Sequence, residues 1–317
     1  MAADRTRWMD FTRGICILLV LLLHASAALS ASGIATPDPI QLFNKLFEPF
    51  RMTLLMFLSG MLLEKSLSKP DGEYIRGKLA QIYWPFLLWS MVILAAENRL
   101  TLEYILKTPI SAPTLLWYLW FLCAYYLLAL GMRRFSIPLI PVMIVSLIIA
   151  PFLPDFIRMS RFAYLFVFFL AGHYVARQRA ILPGSGLLAL CGLVLAVVGG
   201  VLNASGWEVR YNSLYVWAPL GLIVFILWVS AFYARSVIGD GLEWIGRNSI
   251  VFYVAHFPVQ ILVSRMIGDT SQISAYAPYV ITLVASLAAS AALQILRARH
   301  EIIGGLFDFR KLLHAVR

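Results

Sequence analysis

Ten apolar stretches follow one another along the chain with short polar breaks between them, at approximate limits 9–30, 44–64, 79–96, 113–132, 136–153, 162–177, 185–203, 214–234, 248–266 and 275–296. A helix needs about 20 predominantly apolar residues to cross the hydrocarbon layer, and only helices or closed barrels satisfy their backbone there. Prolines 138, 141, 151 and 154 interrupt the fifth stretch, and the sixth is short. The pattern predicts an all-α, polytopic transmembrane bundle of about ten helices, and an even number puts both termini on one side of the membrane.

Composition agrees. The 317 residues are 61% hydrophobic and 13% charged, whereas a soluble domain has roughly 45–50% apolar and about 25% charged residues. A water-soluble globule and a disordered chain are both excluded. Cys16, Cys123 and Cys191 each lie in an apolar run without metal-like or CxxC spacing, so neither a disulfide framework nor a metal site is indicated.

The formal charge of +10 records topology rather than a nucleic-acid partner. With a cytoplasmic N-terminus, seventeen Lys and Arg fall on inner segments, including Arg179, Arg235 and five in the tail, against seven on outer ones. An excess of this kind sets orientation, so both termini are expected in the cytoplasm. Residues 297–317, with His300 and His314, read as a basic amphipathic tail on the inner surface. Arg5 and Arg7, Ile15–Leu23 and Ala25-Ser26-Ala27 imitate a cleaved leader. Asp10 and Arg13 at the inner edge favour a retained first span.

Ionisable groups left within spans cost about 2.5–3.5 kcal/mol each at the centre of a helix and mark function. The first span carries Asp10, Arg13 and His24. Eleven helical steps from Arg13 to His24 come to about 1100°, close to three full turns, with a rise of about 16 Å. The two side chains are therefore expected on one face, with Asp10 three residues from Arg13 and placed to hold its guanidinium. A neutral imidazole at depth can take or give a proton. In the second span Arg51 is expected at a depth similar to that of His24, with Glu48 as an i, i+3 partner. Arg76 and Lys78 precede the third span and suit an anionic ligand or a positive-inside loop equally. His256 in the ninth span is open to a structural or a functional reading, and His173 in the sixth reads as structural. Gly192 and Gly199 in the seventh allow close helix packing, within the chain or between chains.

These residues resemble those of a known family. Asp10-Phe-Thr-Arg13-Gly14-Ile15 with His24 is similar to the first-helix signature of the acyltransferase family 3 integral membrane proteins. Phe50-Arg51-Met52 with Phe57-Leu58-Ser59-Gly60 resembles the second helix, Leu116 to Leu122 the Trp-aromatic-Leu segment, and Asn248-Ser249 with His256-Phe257-Pro258 a late helix. The four motifs come in the family's order and cover nearly the whole membrane region, 1–296. Lys78-x-x-Gln81 departs from the Arg-x-x-Arg of many sugar-modifying members, and Thr53 stands where proline is common. The short chain resembles the compact fucose 4-O-acetylase-like branch.

The resemblance implies transfer of an acyl group, most often acetyl, from cytoplasmic acyl-CoA (acetyl-CoA) to a hydroxyl of a carbohydrate or other lipid-linked envelope acceptor, in the inner (plasma) membrane. On that reading Arg13, Arg76 and Lys78 meet the coenzyme phosphates, His24 is the general base, Asp10 steadies Arg13, and Arg51 stabilises the oxyanion. Direct transfer and an acyl-histidine intermediate both fit these residues. A secondary transporter or channel also uses intramembrane Arg and His, but the chain lacks two matching interrupted segments in its halves.

Overall fold

The computed structural model describes residues 2–154, 156–178, 185–233, 236–267 and 276–315. Arg179, Arg235 and Arg317, counted above among the inner cations, lie outside the described residues, as do the side chains of Arg5 and His314. All regular structure among the described residues is helical. In chain order the helices are α1 (Ala2–Ala31), α2 (Asp38–Phe47), α3 (Arg51–Met61), α4 (Leu63–Leu67), α5 (Asp71–Lys78), α6 (Trp84–Ala96), α7 (Leu102–Ser111), α8 (Trp117–Arg134) and α9 (Leu139–Ile149). They continue with α10 (Met159–Gln178), α11 (Gly186–Ala204), α12 (Trp217–Val229), α13 (Val237–Arg247), α14 (Ser249–Ile267), α15 (Ala277–Arg299), α16 (Glu301–Gly305) and α17 (Phe309–Ala315). A π-helical segment, Leu79–Tyr83, joins α5 to α6.

Among the described residues, seven segments are long and apolar enough to cross a membrane: Arg7–Ala31, Asp71–Ala96, Met159–Gln178, Gly186–Ala204, Ser213–Phe232, Ser249–Ile267 and Ala277–Arg299. Each overlays one of the expected stretches. The other three, 44–64, 113–132 and 136–153, coincide with shorter or interrupted helices. The first breaks between Phe47 and Arg51, around Pro49, because proline lacks the N–H that a helix interior requires. α8 ends on Arg133 and Arg134. α9 starts after Pro138 and closes in a 3-10 turn that contains Pro151.

Burial follows the bilayer rather than water. α15 buries Thr282, Ser286 and Ser290 while Val280, Ile281 and Val284 stay exposed. α11 buries Ala189, Gly192 and Ala196 and exposes Leu187, Leu190, Val194 and Val197. Small and polar residues inside with large aliphatics outside is the arrangement expected of helices in lipid, where tails solvate the apolar face and close backbone approach holds helices together. This is an all-α membrane bundle.

The chain forms two compact units. The first comprises Met1–Cys16, Leu42–Asp71 and Tyr125–Arg247, and the second Ile17–Gln41, Gly72–Ala124 and Asn248–Arg317. In the first unit α11 crosses α12 at Gly192 and Gly221, where a Cβ on either would lie 2.5 Å from the other's carbonyl oxygen. Gly192 thus serves packing within the chain. In the second unit Ala25, Leu29 and Tyr279 form a core with Leu22, Ile34, Ile40 and Leu283 around it. Among the polar contacts that tie its helices, Tyr279 donates to the Leu22 carbonyl at 3.0 Å, Gln260 to Leu21 O at 3.0 Å and Gln260 to Ser286 Oγ at 3.1 Å.

Candidate functional site: a coplanar histidine pair and two charged clusters

The second unit holds the histidines. His24 on α1 is partly exposed, and His256 on α14 is 1% exposed. Their Nδ1 and Nε2 atoms are 2.7 Å apart. The ring planes differ by 4° and the centroids lie 5.1 Å apart. That separation equals the N···N distance plus the two ring radii, so the imidazoles meet edge to edge in one plane and not face to face. Phe257 presents its ring to His24 at 63° and 5.6 Å.

The hydrogen-bond network assigns the tautomers. His256 Nδ1 lies 2.8 Å from the Phe252 carbonyl oxygen, an acceptor only, so this nitrogen carries the proton and donates. In the neutral ring Nε2 of His256 is then the acceptor, and His24 must donate to it from Nδ1–H. The lone pair of neutral His24 is left on Nε2. Tyr253, one turn before Phe257 on α14, donates to Leu115 O at 2.9 Å and packs edge-on against Tyr118 at 5.4 Å. The Trp-aromatic-Leu segment thereby braces the helix that carries His256.

Arg76 is exposed in the second unit, and Lys78 lies over the Tyr74 ring at 5.4 Å. The π-helical segment follows them directly, a geometry common at functional positions. Gln81 in this segment donates to Asp308 at 3.1 Å, and Trp84 Nε1 donates to Gly305 O at 2.9 Å. The tail is therefore docked, with Phe307 1% and Asp308 8% exposed. Burial raises the Asp308 pKa, but hydrogen bonds from Arg310 and Gln81 outweigh it and hold the carboxyl below its ordinary range.

The first unit holds the other expected residues. Arg13 donates to Asp10 at 3.2 Å, and Asp10 lies 3.7 Å from Arg247. Arg247 bonds Glu243 at 2.8 Å, and Glu243 bonds Arg7 at 2.9 Å and accepts from Tyr233 at 2.8 Å. The Glu243 side chain is fully buried. Its hydrogen bond with Arg7 is the largest influence on its pKa and keeps it below the usual carboxylate range. Two glycines let α1 and α13 meet: a Cβ at Gly246 would fall 1.7 Å from Asp10 O, and one at Gly14 2.1 Å from Leu242 O. The Glu243 hub was not anticipated from the sequence.

Arg51, the first residue of α3, is 2% exposed. Glu48, Tyr211, Arg210 and Cys16 lie within its electrostatic reach. Glu48, the expected partner, acts on Arg51 electrostatically and also pairs with Arg210 and accepts from Asn203 at 3.3 Å. His173 is buried, with Nδ1 3.6 Å from a Glu64 carboxylate oxygen.

These motifs coincide with a family. The family described as an acyltransferase domain, acyltransferase 3, matches residues 6–295. The chain belongs to it. Among curated proteins, the inner membrane protein YcfT of Escherichia coli (strain K12) is 25% identical over 177 residues, covering 46% of this chain and 49% of the relative. The chain thus spans about half the length of that relative. No solved structure matches. Within the acyltransferase 3 family, this chain's Lys78-x-x-Gln81 uses Gln81 to anchor its own tail at Asp308.

Proposed function

We propose that this acyltransferase 3 protein is a multi-pass O-acyltransferase of the inner membrane. It moves an acyl group, acetyl above all, from acyl-CoA to a hydroxyl of a carbohydrate or lipid-linked envelope molecule. The observation that carries this reading is the hydrogen bond from His24 to His256, which fixes the lone pair of His24 on Nε2. On this reading His24 Nε2 takes the proton of the acceptor hydroxyl as its oxygen attacks the thioester carbonyl carbon. The C–O bond forms and the C–S bond breaks. The coenzyme thiolate leaves and recovers the proton from His24, so the base is regenerated. General-base catalysis of this kind is worth about 10²–10⁴-fold.

Arg51, or backbone donors close to it, stabilises the oxyanion that develops on the carbonyl. Arg13, Arg76 and Lys78 bind the coenzyme phosphates from the cytoplasmic side through charge-assisted hydrogen bonds, and Asp10 keeps Arg13 in one rotamer. Burial of His256 and the apolar surroundings of His24 limit loss of the thioester to water. Both termini lie in the cytoplasm on this reading, in keeping with the excess of Lys and Arg on the inner segments.

The test is coenzyme release by the purified protein in nanodiscs, supplied with acetyl-CoA and saccharides from the envelope. Release that requires both the acetyl donor and a hydroxyl acceptor supports the reading. An absence of release with every acceptor, together with flux of a solute across the membrane, contradicts it.

A further inference from the structure

The first unit contains a cavity of about 690 Å³ whose walls include Lys45, Glu48, Arg161, Trp207, Glu208, Arg210 and Tyr211. It is of the size that holds a small ligand, and its walls carry several charged side chains. The Arg161 guanidinium lies 4.7 Å and that of Arg210 5.3 Å from the centroid of the same Tyr211 ring. The two cations are thus within about 10 Å of each other, comparable to the screening length of physiological salt. Lys45 adds a third positive charge to the wall and buried Arg51 a fourth nearby. Among the described residues of the wall two carboxylates, Glu48 and Glu208, stand against them, and Glu48 is already paired with Arg210.

Such an excess of positive charge at one cavity carries a repulsive cost that an anion removes. The rest of the wall suits a saccharide. Trp207 lines the cavity and is 58% exposed, and an indole is an apolar ring with a polar handle of the kind that packs against a sugar. Tyr211 is held at a φ of 59°, in the left-handed region that a bulky residue seldom occupies. Asn203 fixes the loop that carries them: it donates to Lys45 O at 2.8 Å and accepts from the Arg210 backbone N–H at 3.3 Å. The cavity is therefore braced rather than formed by loose side chains.

We infer that this cavity binds an anionic saccharide unit, one whose hydroxylated ring carries a carboxylate or a phosphate. Its role as the acceptor site rests on the acyltransferase reading above, whereas the binding itself does not. The charge comes from a uronic acid or from a sugar phosphate, and both present the same oxyanion to Arg161 and Lys45.

Calorimetric titration of the full-length protein in nanodiscs, without acetyl-CoA, tests this with glucose, glucuronic acid, glucose 1-phosphate and inorganic phosphate. Glucuronic acid or glucose 1-phosphate is expected to bind at least about tenfold more tightly than glucose, as one charge-assisted hydrogen bond provides. Which of the two binds identifies the source of the charge. Arg161→Gln is expected to remove the preference, and Lys45→Gln, at an exposed position that tolerates change, to reduce it. Equal affinity for glucose, binding of inorganic phosphate as tight as that of glucose 1-phosphate, no binding of either anionic sugar, or a preference unchanged in both variants overturns the inference. Intact binding without any acyl transfer overturns the acyltransferase reading alone. Intact transfer with a preference for neutral sugars overturns only the present one.

Discussion

His24 Nδ1 and His256 Nε2 face each other at 2.7 Å in a common plane, with His256 anchored in turn to the Phe252 carbonyl. A backbone oxygen on α14 thereby dictates which nitrogen of a histidine on α1 carries the lone pair. The arrangement has the logic of a base held by an orienting partner: the partner selects the tautomer and the rotamer, while the base does the chemistry.

Replacement of His256 separates orientation from catalysis. His256→Gln keeps an acceptor for His24 Nδ1–H and is expected to retain most activity. His256→Phe preserves volume but removes the acceptor, freeing His24 to adopt the other tautomer. Its kcat is expected to fall about 10²-fold or more with little change in KM for acetyl-CoA. Wild-type kcat in His256→Phe contradicts the assigned tautomers.

The Glu243 hub predicts an acid limb in stability. Arg7 holds the Glu243 carboxyl below its ordinary value. Its contribution is thus complete above the unfolded pKa of about 4.3 and is lost as pH falls through the lower folded value. The melting temperature in detergent is expected to decline below about pH 4.3. Glu243→Gln should melt lower at pH 7 and show a shallower acid decline. An acid decline of equal slope in the variant excludes Glu243 as its source.

α13 contains its own control. Gly246→Ala drives a methyl into the Asp10 carbonyl, whereas a Cβ at Gly241 meets nothing within 4 Å. Overpacking of this kind costs about 1–3 kcal/mol, and Gly241→Ala should be neutral or slightly stabilising. The two melting temperatures, measured side by side, decide it. Equal values remove the close approach of α1 and α13.

Docking of the tail is open to proteolysis. Asp308→Ala breaks the bonds to Gln81 and Arg310 and is expected to speed tryptic cleavage at Arg310 and Lys311. An unchanged rate means that Phe307 and the Trp84–Gly305 bond hold the tail without Asp308.

Much of this was legible in the residues because lipid leaves little freedom. Seven stretches overlay segments able to span, and the other three, broken around Pro49, ended by Arg133 and Arg134, or bounded by Pro138 and Pro151, coincide with shorter or interrupted helices. His24 and Arg51 stood out as polar residues within apolar runs, and both motifs of the first and second helices lie in the region that the family covers. The pairing of His24 with His256 was not legible, since 232 residues separate them and no helical period links two distant helices. Glu243 carried one local signal, its i, i+4 spacing to Arg247; its ties to Arg7 and Tyr233 depend on how α1 packs on α13. The tail read as an amphipathic surface element, while the burial of Phe307 and Asp308 against the π-helical segment depends on contacts more than 200 residues apart in sequence.

The most direct measurement is transfer of labelled acetyl from acetyl-CoA to a hydroxyl acceptor by the wild-type protein and by His24→Ala, with melting temperatures recorded for both. A base at His24 predicts a loss of at least about 10²-fold with an unchanged melting temperature. Undiminished turnover in His24→Ala contradicts the account.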